Sequence, residues 1–170
     1  MFCWFIRLVY TYGYMITLST FAMAIRLVAA LLLGGLLGVE RTMAGKMAGL
    51  RTYALVSMGS ALFVIIAQQV TALSVFNGNA DPLRVASQVL VGIGFIGAGL
   101  VMVKDSKLTG LTTAAGLWLA AGVGLACGYG LISLAIISTM LGLLVLVSWF
   151  LEKPLLKNDI DDTYEPTGSK

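Results

Sequence analysis

Five apolar runs constrain this chain more than any other feature: about Phe21–Val39, Thr52–Ala72, Pro82–Val103, Leu111–Cys127 and Leu131–Leu151. Each is close to the roughly 20 residues needed to cross a bilayer as a helix. The charged residues fall mostly in the short connections between them. Of the 170 residues, 59% are hydrophobic and only 11% charged, against about 25% charged in a soluble domain. A soluble fold of this size has too little interior to hide that surface. The pattern predicts an all-α integral membrane protein, a bundle of five transmembrane helices.

The flanks differ from the runs. Residues 1–20 are aromatic and apolar but carry Arg7 and Gly13, and no small-residue cleavage site follows. They read as an interfacial segment, with a further span as the alternative and Met15 as an alternative start. Residues 21–151 form the membrane domain. Residues 152–170 are polar, with acids at Asp159, Asp161, Asp162 and Glu165, and read as a flexible tail. Asp81-Pro82 opens the third run, with Asp81 as cap and Pro82 at the first helical position.

Orientation follows from the lysine and arginine bias. Arg41, Lys46, Arg51, Lys104, Lys107, Lys153 and Lys157 all fall on one side of a five-span topology. That side is assigned to the cytoplasm, which puts the C-terminus inside and the N-terminus outside. The net charge of +3 is small, and no nucleic-acid partner is expected. The expected partners are the lipid bilayer and a second copy, with a dimer favoured.

Within the third run stands Gly92-Ile93-Gly94-Phe95-Ile96-Gly97-Ala98-Gly99. It contains the G-x-G-x-x-G spacing of a dinucleotide-binding turn. That fingerprint needs a preceding strand and an acid about 20 residues on. Here the glycines sit mid-membrane and Leu111-Thr112-Thr113-Ala114 stands where the acid belongs. The glycines therefore read as helix-packing positions, together with Gly34, Gly38 and Gly110. On a helical wheel, Arg84, Gln88, Gly92, Phe95 and Gly99 fall within about 80° of one another. Ser87, Gly94, Gly97 and Ala98 lie roughly opposite. The first face either carries a snorkelling Arg84 and a helix-bonding Gln88, or lines an outward-facing path with Asp81. The third run is expected to be the central helix, with the first and fourth packed on its glycines.

The remaining polar candidates lie at run ends. Glu40, Arg41 and Arg51 flank the first connection, and Glu40 and Arg51 are expected to meet there as a structural pair, a ligand site or a gate. Arg26 lies about 21 Å from Glu40 along a helix (14 residues at 1.5 Å each), near the opposite interface, where snorkelling is the default. Thr109, Thr112 and Thr113 give the fourth run a hydroxyl-rich entry that can satisfy free amides or hold an anion. No histidine is present, and Cys3 and Cys127 lie far apart. Histidine-dependent nucleophilic catalysis is thereby excluded, and no disulfide framework or metal spacing follows. Outside the tail and its junction the acids are Glu40, Asp81 and Asp105, too scattered for a magnesium cage. No enzyme activity, cofactor or resident metal is expected.

Four motifs in order carry a resemblance. They are Leu32 with Gly34-Gly35-Leu36-Leu37-Gly38-Val39-Glu40-Arg41, then Ala48-Gly49-Leu50-Arg51-Thr52, then the Gly92–Gly99 stretch, then Gly110-Leu111-Thr112-Thr113-Ala114-Ala115-Gly116-Leu117-Trp118. Over roughly Ile25–Leu151 the chain resembles the MgtC/SapB family of bacterial inner-membrane proteins. The resemblance implies a five-span domain with its C-terminus inside, and a role in growth under magnesium limitation and in survival of pathogens inside host cells. Some members are linked to inhibition of the proton-driven ATP synthase. The short tail resembles the form that lacks a folded cytoplasmic domain, and Gly116 stands where the family usually has a polar or bulkier residue. Two functions compete: regulation by docking helix faces against another membrane complex such as the ATP synthase, and transport of an ion (magnesium or protons) or polar solute by a small oligomer.

Overall fold

The computed structural model describes residues 18–73, 82–104 and 107–148. The sequence readings for residues 1–17, Asp81, Asp105 and the tail lie outside them. The described residues form five helices and one small hairpin: α1 (Thr20–Met43), α2 (Leu50–Leu73), α3 (Pro82–Ala98), β1 (Met102–Lys104), β2 (Lys107–Thr109), α4 (Leu111–Gly128) and α5 (Ile132–Val147). Three stretches are long and apolar enough to cross a membrane: Thr20–Met43, Leu50–Ala72 and Leu111–Gly128. The apolar helices Leu83–Ala98 and Ile132–Val147 are shorter. The chain is an all-α membrane protein.

Local chemistry sets the element ends. Ser19 caps α1, its Oγ accepting from the Ala22 amide at 3.2 Å, which satisfies one of the free N–H groups of the first turn. At the other end Thr42 joins two helices. Its Oγ1 donates to the Gly38 carbonyl at 3.0 Å and accepts from the Leu50 amide at 2.9 Å. The α1–α2 connection is thus tied at both sides, and Gly45 turns it with φ 66°.

The third element departs from the sequence reading. The helix expected to Val103 stops at Ala98, where Leu100 and Val101 amides return to the Gly97 and Ala98 carbonyls. The chain then forms an antiparallel pair in which Met102 faces Thr109 and Val103 faces Leu108. What read as a tight turn at Lys104–Lys107 is the tip of this hairpin. Gly110 closes it with φ 90°. A Cβ there would lie 2.9 Å from the Leu100 carbonyl carbon, so both the backbone angle and the space require glycine.

The central helix is α4, which packs on α1, α2, α3 and α5, whereas α3 packs on α2 and α4. The expectation of a central third run is therefore corrected. The reason lies in how the glycines are placed. On α4 they meet backbone: a Cβ at Gly124 would sit 2.7 Å from the Ser57 carbonyl carbon, and one at Gly128 would sit 2.9 Å from the Ala61 oxygen. Gly116 faces the Tyr53 ring, 3.2 Å from Cζ. On α3, a Cβ at Gly92 or Gly94 would meet nothing within 4 Å, and one at Gly97 would reach only Ala114. Between lipid-solvated helices, association depends on such close backbone approach, so the α4 glycines place α4 in the middle. Gly34 and Gly38 do the same between α1 and α2. A Cβ at Gly34 would lie 2.8 Å from the Tyr53 carbonyl oxygen, and one at Gly38 would lie 2.7 Å from Leu50 Cα. The core they enclose includes Ala30, Leu37, Tyr53, Ala61, Leu117, Ala120, Val123 and Ala135.

Candidate functional site

The most concentrated polar chemistry sits where α1 ends. Glu40 and Arg41 are both buried, at 7% and 2% exposure. They form a two-pronged pair: Arg41 Nε donates to Glu40 Oε2, and Arg41 Nη2 donates to Oε1 at 2.6 Å. The planar guanidinium matches the carboxylate in this arrangement. Arg41 Nη2 also donates to the Leu146 carbonyl at 3.2 Å, near the C-terminal end of α5. That end carries the negative pole of the helix and its unpaired carbonyls. Arg41 therefore compensates two negative partners at once.

Glu40 pairs with its chain neighbour, not with Arg51 as expected. Arg51 is exposed at the start of α2. Two residues on, Tyr53 is fully buried and donates from its hydroxyl to the Thr113 carbonyl at 3.0 Å. This bond joins the first turns of α2 and α4 at the same end of the bundle as the Glu40–Arg41 pair. Thr113 is buried and Thr112 is exposed, so the hydroxyl-rich entry divides between the interior and the surface.

Arg84 and Gln88 lie apart from this cluster, on α3 and exposed. Gln88 borders a groove of about 550 Å³ between α2 and α3, lined also by Leu55, Gly59, Phe63, Val89, Gly92 and Ile93. Phe95, about two turns beyond Gln88 on the same face, is 85% exposed. The face that joined Arg84, Gln88, Gly92 and Phe95 on the wheel thus looks out of the bundle instead of lining a path through the chain. Gly99 lies just past the helix and approaches only the carbonyls of Phe95 and Ile96. Among the described residues no group of three or more histidine, cysteine, aspartate or glutamate side chains is placed to hold a metal ion.

Sequence reasoning missed the polar contact at the other end. Arg26, read as snorkelling, donates from Nη1 to Gln68 Oε1 at 3.2 Å and to the Gly128 carbonyl at 2.8 Å. It ties α1 to the C-terminal ends of α2 and α4. The signal was an arginine one turn inside an apolar run, with a glutamine pair, Gln68-Gln69, at the matching depth of the next run. Tyr53 was missed as well, because a tyrosine near a span end reads as an interface anchor until Gly116 is seen to leave room for its ring.

A family model described as the MgtC family matches residues 27–152. The chain belongs to the MgtC family. The Escherichia coli (strain K12) protein named "Putative magnesium transporter YhiD" is 46% identical over 124 residues, 72% of this chain and 58% of that protein. Protein MgtC of Brucella abortus (strain 2308) is 45% identical over 114 residues, 67% of this chain and 45% of its own length. Protein MgtC of Salmonella typhimurium (strain LT2) is 43% identical over 95 residues, 56% of this chain and 38% of its own length. The chain thus spans between 38% and 58% of the length of these relatives. No solved structure matches it.

The stretch that matches the MgtC family contains Glu40, Arg41, Arg51, Tyr53, Arg84, Gln88, Thr112 and Thr113, and it begins one residue after Arg26. In this MgtC-family chain the buried pair ties α1 to α5 and the tyrosine bond ties α2 to α4, both at the same end of the bundle. The α3 face is the separate, outward-looking feature.

Proposed function

We propose that this MgtC-family chain is an inner-membrane protein of adaptation to magnesium limitation that acts by docking helix faces against another membrane complex, without enzymatic chemistry. One observation carries the docking reading. The chain's most glycine-rich stretch stands on the edge of the bundle, with open space at Gly92 and Gly94. Small residues facing outward in a membrane are the surface on which another helix packs closely. The magnesium association rests on family membership and on the relatives' names. The proton-driven ATP synthase is the complex that the family resemblance suggests. The Glu40 end faces the cytoplasm in this reading, as the lysine and arginine bias requires.

The test is growth in low magnesium of cells carrying Gly94→Leu. The bundle itself leaves room at Gly94, so folding is preserved and the phenotype is lost. Normal growth with Gly94→Leu refutes docking through α3. The second reading, a small oligomeric transporter, is favoured by the printed name of the Escherichia coli relative. Purified protein in liposomes, with a magnesium dye and a pH dye, decides between them. Flux from the wild type that disappears in Arg84→Ala or Glu40→Ala establishes transport.

A further inference from the structure

The outward face of α3 carries a polar group as well as glycines. Gln88 is exposed on it, and its amide forms no hydrogen bond to any described residue. Gln88 lies six residues past Pro82, about 9 Å along the helix from its first residue. Around it the groove walls are apolar apart from Ser60, whose hydroxyl already donates to the Val56 carbonyl. A carboxamide in such surroundings requires a partner that both donates and accepts.

We propose that a second copy of this chain supplies that partner, through a two-fold contact centred on Gln88 and Gly92. The carboxamide is complementary to itself: across a two-fold axis each oxygen accepts from the other copy's NH2. A two-fold interface needs such self-complementarity, because the same patch is present on both sides. Gly92, one turn deeper, has nothing within 4 Å of its Cβ position, so the two backbones approach closely there. Phe95 projects on the same face at 85% exposure, beside a recess of about 550 Å³. The two-fold brings each copy's projection to the other copy's recess. Both copies share one membrane orientation, so the axis runs along the membrane normal and the two α3 helices lie parallel. Arg84, one turn nearer the surface, reaches into headgroup water. The contact occupies the Gln88 and Gly92 side of α3, roughly opposite Gly94 on the helix, so it stands on different residues from the Gly94 test and leaves that side free for docking.

The experiment uses the full-length chain in liposomes at a series of protein-to-lipid ratios. Donor and acceptor dyes are attached at Lys170→Cys in a background carrying Cys3→Ala and Cys127→Ala. Energy transfer in the parent should rise with protein-to-lipid ratio and saturate as a dimer. Gln88→Leu should weaken association about three- to thirtyfold, the range of interhelical polar contacts in membranes. Gln88→Asn should retain most of it, Gly92→Leu should abolish it, and Trp118→Ala, on an exposed part of α4, should leave it unchanged. All variants should keep their helical circular dichroism. A parent that stays monomeric at every ratio overturns the proposal. So does a Gln88→Leu dimer as tight as the parent's; lipid or a foreign helix then covers the groove. If energy transfer is absent while Gly94→Leu still abolishes low-magnesium growth, the dimer fails and docking stands. If energy transfer behaves as expected and Gly94→Leu grows normally, docking fails and the dimer stands.

Discussion

Arg41 is among the largest side chains fully buried in this bundle, and it neutralises the Glu40 carboxylate while capping the end of α5. Removing it alone leaves a buried carboxylate without its cation. Breaking a buried pair in this way costs about 3–5 kcal/mol, so Arg41→Ala should lower the thermal unfolding midpoint in detergent more than any surface substitution. The double variant Glu40→Ala with Arg41→Ala should recover part of that loss, because it removes the stranded charge. A double-mutant cycle on the unfolding midpoint measures the coupling. Tyr53→Phe is a milder change at the same end. It deletes one hydrogen bond to the Thr113 carbonyl and should cost about 1 kcal/mol. At this scale the sequence showed that Glu40, Arg41, Thr112 and Thr113 stand at run ends, but not who pairs with whom. Adjacent residues on a helix point about 100° apart, so the wheel separates Glu40 from Arg41. Their side chains are long enough to fold back onto one another, and the Leu146 carbonyl is a further interior partner for Arg41.

Two glycines on α4, two positions apart, make the packing argument quantitative. Gly124 lies against the Ser57 backbone, whereas Gly122 has nothing within 4 Å of its Cβ position. Backbone cannot yield as a flexible side chain does, so Gly124→Ala should destabilise by about 1–3 kcal/mol. Gly122→Ala should be neutral or stabilise by up to about 1 kcal/mol, the helix-propensity difference between the two residues. Thermal unfolding of the two variants side by side checks this, and equal midpoints would refute the close α2–α4 approach. The five apolar runs showed the five helices, and the α4 boundaries matched to within one residue. The β1–β2 hairpin was not legible, because its strands hold three residues each and β1 begins as a direct continuation of the apolar run of α3. Nor was the central position of α4. Counting glycines pointed to α3, but a glycine organises packing only where a neighbour's backbone comes to it, and that is a property of the assembled bundle.

Taken whole, the bundle is strapped by α1. Arg26 near one end holds the terminal carbonyl of α4 and the Gln68 amide of α2, and Arg41 near the other holds the end of α5. Each arginine meets the negative end of a helix that terminates on its side of the bundle, an arrangement favourable at both ends. Five antiparallel passes put the C-terminal ends of α2 and α4 on one side and those of α1, α3 and α5 on the other. The two arginines therefore mark opposite ends of the bundle, and in the orientation proposed above the Arg41 end is the cytoplasmic one. Single cysteines test that assignment in cells, in a background of Cys3→Ala and Cys127→Ala. Met47, 70% exposed between α1 and α2, and Leu131, 53% exposed between α4 and α5, sit on opposite faces. Leu131→Cys should react with a membrane-impermeant maleimide on intact cells once the outer barrier is opened. Met47→Cys should react only after the inner membrane is permeabilised. The reverse pattern would turn the bundle over. It would place the buried Glu40–Arg41 layer beneath the outer surface, and a partner on the cytoplasmic side would then meet Arg26 and Gly130 instead.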